Sequence, residues 1–253
     1  MKRFNIVFAG CIAVIVSGCN NAVFVAGVPG SGVMTTEDRE IDDFSAISFS
    51  GAGKLNIVCG ESTSLTLTTD DNLVEIIESA VEDDTLRIWS TENISPTETP
   101  QYEISTESLS RVSISGSSNV DVSNYDGEDF DFHVSGSGKV KVVGKTDRVS
   151  IHISGSGRAD LSELEAKDVS INVSGSGRAN VIARNKLDVS ISGSGRIQYV
   201  GSPEINQSIS GSGRISKTRS KKAQKKADEN NDQRANSTDE DDVEEEDEAE
   251  IDE

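Results

Sequence analysis

The sequence predicts an all-β protein, a parallel β-helix with coils of about 18–20 residues. Three observations lead there. A Ser-Gly core recurs at positions 115, 135, 154, 174, 192 and 210, at intervals of 20, 19, 20, 18 and 18 residues, and a fixed period in this range marks stacked repeats. Apolar residues alternate at period two on both sides of each core, as in Val149/Ile151/Ile153 before Ser154 and Ala159/Leu161 after it. That alternation belongs to strands with one buried face. Finally, no stretch of the repeat region has the length and period of a helix able to cover a sheet. Each inward row must therefore pack on the row of the next coil.

Each repeat reads as strand, SGSG corner, strand and a variable connection. Glycine costs roughly 0.5–1 kcal/mol relative to alanine inside regular structure, so two per repeat are tolerable only where the geometry uses them. A sharp corner uses them, because glycine permits positive φ and close approach of another backbone. The serines can add hydrogen bonds between coils. A phosphate-cradling loop fits poorly, since a third glycine is missing and no helix follows whose N-terminus could hold phosphate. A flexible linker fits worse, because apolar alternation abuts the motif on both sides.

The N-terminal part is less regular. "FSAISFSGAGKLNIVCG" carries an early variant corner at Ser50, and "SLTLTT" makes a further strand. "DDNLVEIIESAVEDDTLRIW" predicts a short capped helix with Leu73, Ile76, Ile77 and Ala80 on one face, then a strand at Leu86–Ile88. Such a helix would cap the open end of the solenoid. Residues 91–100 read as a loop. Cys59 shares strand parity with Leu55 and Ile57 and is expected to face the core.

The two ends are different material. A short positive region, Met1-Lys2-Arg3, precedes an apolar run from Phe4 to Val16, too short to span a bilayer but suited to a secretory signal. "VSGC" closes it at Cys19. At the other end, from about Thr218, apolar residues nearly vanish and "RSKKAQKK" passes into "DEDDVEEEDEAEIDE". Such a segment cannot bury enough surface to offset its ordering entropy and is expected to be disordered. It carries about half of the net charge of −20, which therefore says little about the folded part. The expected organisation is a signal over 1–18, a lipid-proximal tether over 19–36, the β-helix over 37–217 and the charged tail over 218–253. An acidic, exported chain argues against nucleic acid as a partner, and no cofactor motif is evident.

Two resemblances add to this reading. Ser17 and Gly18 before Cys19 resemble the lipobox of bacterial lipoproteins, which implies cleavage before Cys19, a diacylglycerol on its sulfur and a membrane anchor. Asn20 in place of an aspartate then favours the outer membrane. From Phe44 to Lys217 the chain is similar to the bacterial family called putative auto-transporter adhesin, head GIN domain. "FSAISFSGAGKLNIV", "VEDDTLRIW", the serial SGSG corners and "SGSGRIQYVGSPEINQSISGSGRI" carry that likeness. It implies a right-handed parallel β-helix, in line with the preferred hand of crossovers between parallel strands. It supplies no catalytic residue.

Stacked coils arrange equivalent residues in columns about 4.8 Å apart. One column, directly after the corners, reads Lys139, Arg158, Arg178, Arg196, Arg214, a ladder that could hold an anionic polymer or could simply be a solvated face. Bare repulsion at that spacing is only about 1 kcal/mol in water, so the ladder does not require a ligand. The outward column before the corners reads Ser113, His133, His152, Asn172, Ser190, Ser208. His133 and His152 are the only two histidines of the chain. A metal would want a third ligand; Ser113 and Asn172 are poor ones and Asp131 is the only helper, so no metal site is expected. Asp131 and Asp188 fall three coils apart, roughly 14 Å, beyond the range of about 5–9.5 Å for paired glycosidase carboxylates. The expected function is thus a lipid-anchored, non-enzymatic envelope module that binds a glycan or protein through its repetitive surface. A carbohydrate-active enzyme and a self-assembling scaffold are the alternatives.

Overall fold

The computed structural model describes residues 27–219. The signal segment, Cys19 and the tail beyond Arg219 lie outside the described residues. Within them the chain winds as a parallel β-helix of about five turns. Four long strands, Asn119–Gly136, Lys139–Gly155, Arg158–Gly175 and Arg178–Gly193, each climb one face, round a side and return along a second face. We call the face preceding each corner the front and the face following it the back. Successive coils pair in parallel, with register irregularities between Val122 and Tyr125, Lys141 and Val143, and Leu161 and Glu165, where the chain rounds the side. Bulges of this kind bend a strand and raise its twist.

The inward rows explain why these residues choose this fold. Val112, Phe132, Ile151, Ile171 and Val189 stack in register on the front, and Val120, Val140, Ala159, Ala179 and Ile197 on the back. All ten are buried. Branched side chains at period two fill a pleated, half-buried surface well. A coil alone could not bury its row; its neighbours above and below do so.

The corners are fixed by backbone. Gly175 has φ +118°, and a Cβ added there would lie 2.6 Å from the carbonyl oxygen of Gly155 in the coil before. Gly177 is tight for another reason: its Cβ would lie 2.6 Å from Cγ2 of Ile153, a core side chain. The N–H of Ser176 donates to Gly155 O at 2.8 Å and that of Arg178 to Gly157 O at 3.0 Å, a pattern the neighbouring corners repeat. Intercoil bonding here is thus carried by backbone N–H groups rather than by the serine hydroxyls. A hydroxyl contributes at Ser118, which stands in place of the second glycine and donates to Gly51 O at 3.1 Å.

The N-terminal cap departs from expectation. Residues 71–82 are not a helix. A single 3₁₀ turn, Asp71–Leu73, leads into a strand, Ile77–Glu82, which pairs antiparallel with Thr85–Ser90. Asp83 and Asp84 both adopt positive φ, +47° and +60°, as a two-residue hairpin turn of the primed type demands. Thr85–Ser90 pairs on one edge with Ala46–Gly51, and its other edge offers a ladder of hydrogen bonds that a helix could not satisfy. On the back, Gln101–Thr106 extends the sheet from Lys54–Cys59, and Ser64–Asp70 closes it antiparallel. Residues 27–36, assigned from sequence to a tether, join this cap: Met34–Arg39 pairs with Ser64–Asp70, and Val28–Pro29 with Ile94–Ser95 in the loop.

Asp70 clasps the cap. Its side chain is fully buried, with Oδ1 accepting from Gly32 N at 2.8 Å and Oδ2 from Thr97 N at 2.9 Å. Burial alone would raise its pKa, but the N–H donors of Thr97 and Gly32 prevail and hold the carboxyl below its usual value of 3.8. A folded-state pKa below the unfolded one contributes stability above the unfolded pKa and loses it as pH falls through the folded value. Asp70→Asn retains one acceptor and turns an amide toward the second N–H. It should therefore lower the melting temperature at pH 7, with the gap to wild type narrowing as pH falls below about 4. Melting curves of both proteins from pH 7 to pH 3 check this; a constant gap would speak against the clasp. Cys59, as its parity implies, is buried, and burial pushes its thiol pKa up to about 11.

Candidate functional site

The second glycine of each corner faces the core, so the residue after it points outward. The register then aligns Lys139 with Arg158, Arg178, Arg196 and Arg214. The column continues through Asn119 to Lys54. All five basic side chains are exposed. Two adjoining grooves of about 540 and 330 Å³ run along them, the first shared with Asp121, Lys141 and Asp160, the second with Asn180, Gln198 and Ser216. The grooves place neutral hydrogen-bonding groups beside Arg178, Arg196 and Arg214. Toward the cap the neighbouring column is charged but engaged: Lys141 pairs with Glu163 at 3.0 Å, and Asp160 accepts from the Ser162 hydroxyl at 2.6 Å.

The ladder differs from most basic residues of the surface in its pairing. Among the described residues, ion pairs link Arg111 to Asp131, Lys145 to Asp126, Lys167 to Asp147 and Arg184 to Glu165, while none of the five ladder side chains takes part in one. The contrast is sharpest with a column on the front, where the register aligns Asp129, Arg148, Asp168, Lys186 and Glu204. There the sign alternates at every coil. A hydrogen bond from Arg148 holds the Asp129 carboxyl below its ordinary pKa, and hydrogen bonds from Lys186 and Asn206 do the same for Asp188 beside it. Exposed pairs contribute little stability each. They show, however, that alternation is available to this fold, and the ladder does not use it. Sequence reading missed the alternating column, although a signal was present: each member stands six positions before the serine that opens its corner.

The front also brings the histidines together. The rings of His133 and His152 stack with centroids 4.5 Å apart and planes 6° from parallel. Asp131 Oδ2 lies 3.1 Å from His133 Nε2 and accepts from Arg111 Nε at 3.2 Å. His152 Nε2 lies 3.1 Å from the Ser150 hydroxyl. A groove of about 490 Å³ opens over both rings, lined by small polar residues such as Ser48, Ser113, Asn172 and Ser190 and by apolar ones such as Phe49, Ile114 and Val134. Asp131 and Asp188 are three coils apart in register, as the spacing predicts. Cys19, the remaining candidate, lies outside the described residues.

Comparison with known proteins agrees with this architecture. The structure resembles a crystal structure of a putative adhesin from Bacteroides fragilis, with 24% identity over 76% of this chain and 100% of that one, and a TM-score of 0.57. A putative lipid binding protein from Parabacteroides distasonis is also similar, at 24% identity over 76% of this chain and 99% of that one, with a TM-score of 0.46. A putative adhesin from Parabacteroides merdae gives 22% identity over the same shares and a TM-score of 0.47. No curated protein matches. The family model described as putative auto-transporter adhesin, head GIN domain, matches residues 43–203, ending before the final strands Glu204–Gly211 and Arg214–Lys217, and the chain belongs to that family.

Proposed function

We propose that the protein is a non-enzymatic, lipid-anchored module of the bacterial cell envelope that holds an acidic polysaccharide along its arginine column. The observation that carries this reading is the uniform sign of Lys139, Arg158, Arg178, Arg196 and Arg214 in a fold that alternates charge elsewhere. An extended polyuronate presents one carboxylate per sugar, with a rise comparable to the spacing between coils of about 4.8 Å. Arginine is suited to such a partner because its planar fork of donors matches carboxylate, sulfate and phosphate alike. Asn180, Gln198 and Ser216 stand beside the column to meet the sugar hydroxyls. Adhesion, the activity in the family's description, is supported by a surface of this kind. The resemblance of the segment around Cys19 to a lipobox supports the anchor, and Cys19→Ser should abolish palmitate labelling and release the protein from membranes. Catalysis finds no support on the front face, where Asp131 and Asp188 are too far apart to act as a pair.

The test is binding of the full chain to a polyuronate, with a neutral polysaccharide of similar length as control. The acidic polymer should bind, the neutral one should not, and affinity should fall as salt rises. Replacing Arg158, Arg178 and Arg196 with glutamine should remove most of the binding. Equal retention of both polymers, or indifference to the triple replacement, would contradict the reading. A parallel arm with vesicles bearing phosphorylated lipid headgroups separates glycan from lipid as the source of the anion.

A further inference from the structure

The front face carries a second constellation that the arginine column does not explain. The two histidines of the chain fall in one column of adjacent coils, and Asp131, the one acidic residue among the described residues that groups with them, lies in the neighbouring column. One ligand atom from each of Asp131, His133 and His152 falls within 4.8 Å of the others. Asp131 uses Oδ2 for both of its contacts, with Arg111 and His133, while its Oδ1 is buried and has no hydrogen-bond partner. Buried carboxylate oxygens are rarely left unsatisfied, and such an atom calls for an explanation, an unplaced ion among them.

We propose that Asp131, His133 and His152 form a binding site for a single divalent transition-metal ion of the zinc class. Two imidazole nitrogens and one carboxylate oxygen are the donor set of many zinc sites that keep an open position. A metal would require the two half-buried rings to rotate so that their nitrogens, now within 4.8 Å of the carboxylate and of each other, close to ligand spacing, while the intercoil ladder holds both strands in register. The Ser150 hydroxyl, now on His152 Nε2, and the guanidinium of Arg111, now on Asp131 Oδ2, form the surround that orients the ligands. The remaining coordination positions face the groove over the histidines. A metal there would tie two coils together and offer an anchoring point for an oxygen donor of a ligand lying in that groove.

Because the chain has only two histidines, their ring proton resonances report on this site alone and are blind to cations held by the acidic tail. The experiment titrates zinc into the full chain under NMR, with equilibrium dialysis in parallel. Both histidine rings should shift together and saturate at one equivalent. His152→Gln and, separately, Asp131→Asn should each weaken that site by about tenfold or more, with the circular dichroism of the β-helix unchanged. Zinc that binds without moving either ring, rings that shift independently, or a site unaffected by Asp131→Asn would each overturn the assignment. Should one variant fail to fold, His133→Gln provides the same test from the neighbouring coil.

Discussion

Gly175→Val is expected to destabilise the protein by on the order of 3 kcal/mol or more, or to prevent folding outright. The backbone there has φ +118°, which a β-branched residue cannot adopt without severe strain, and a Cβ would meet Gly155 O at 2.6 Å. The clash is with backbone, so no rotamer change relieves it. Gly177→Ala is milder: φ is not positive there and the obstructing atom is Cγ2 of the buried Ile153 rather than backbone, and overpacking of this sort costs typically about 1–3 kcal/mol. Ser176→Ala, at an exposed position whose intercoil bond comes from its N–H, should stay within about 0.5 kcal/mol. Chemical denaturation of the three variants ranks them, and a Gly175 variant no worse than Ser176→Ala would contradict the corner as described.

The second large effect concerns the ladder. The double variant Arg158→Glu/Arg196→Glu would give this column the alternating signs that Asp129, Arg148, Asp168, Lys186 and Glu204 already have. If the column is there to bind, the variant should fold at least as stably as wild type while losing affinity for an acidic polymer. Four units of charge are changed, each worth on the order of 1 kcal/mol at contact in water, so affinity should fall by roughly 100- to 1,000-fold at low salt. A merely solvated face predicts the same gain in stability with no binding to lose. Melting temperature and polymer affinity, measured on one preparation, separate the two.

Much of this structure was legible because a solenoid repeats its physics. The recurring Ser-Gly core fixes the corner, the corner fixes the phase, and the phase fixes which side chains share a column. Lys139 with Arg158, and His133 with His152, followed from that arithmetic alone, and both alignments are observed. Reading failed where repetition stops. Residues 71–82 have the spacing of an amphipathic helix, but the strand at Thr85–Ser90 needs a partner on its free edge, and Ile77–Glu82 supplies it. Local spacing could not weigh that demand, since the edge exists only once the first coil has formed. The pair Asp83-Asp84 was the available hint, as two adjacent residues tolerant of positive φ between apolar alternations. The same holds for residues 34–36, read as the end of the tether, which open the strand Met34–Arg39 on the backbone edge of Ser64–Asp70. At the histidines, sequence offered Asp131 as a helper. The orphaned Oδ1 could be found only with side chains in place.

The proposed function places an acidic polymer along the column, one anionic group to a coil. Its most direct test is the affinity of oligo-uronates of increasing length for the full chain at fixed salt. Affinity should rise stepwise with each added sugar while new rungs from Lys139 toward Arg214 are engaged, then level off once the column is spanned. The Arg158→Gln/Arg178→Gln/Arg196→Gln variant should lose the rise. An affinity that is the same for a single uronate as for the longest oligomer would contradict the account.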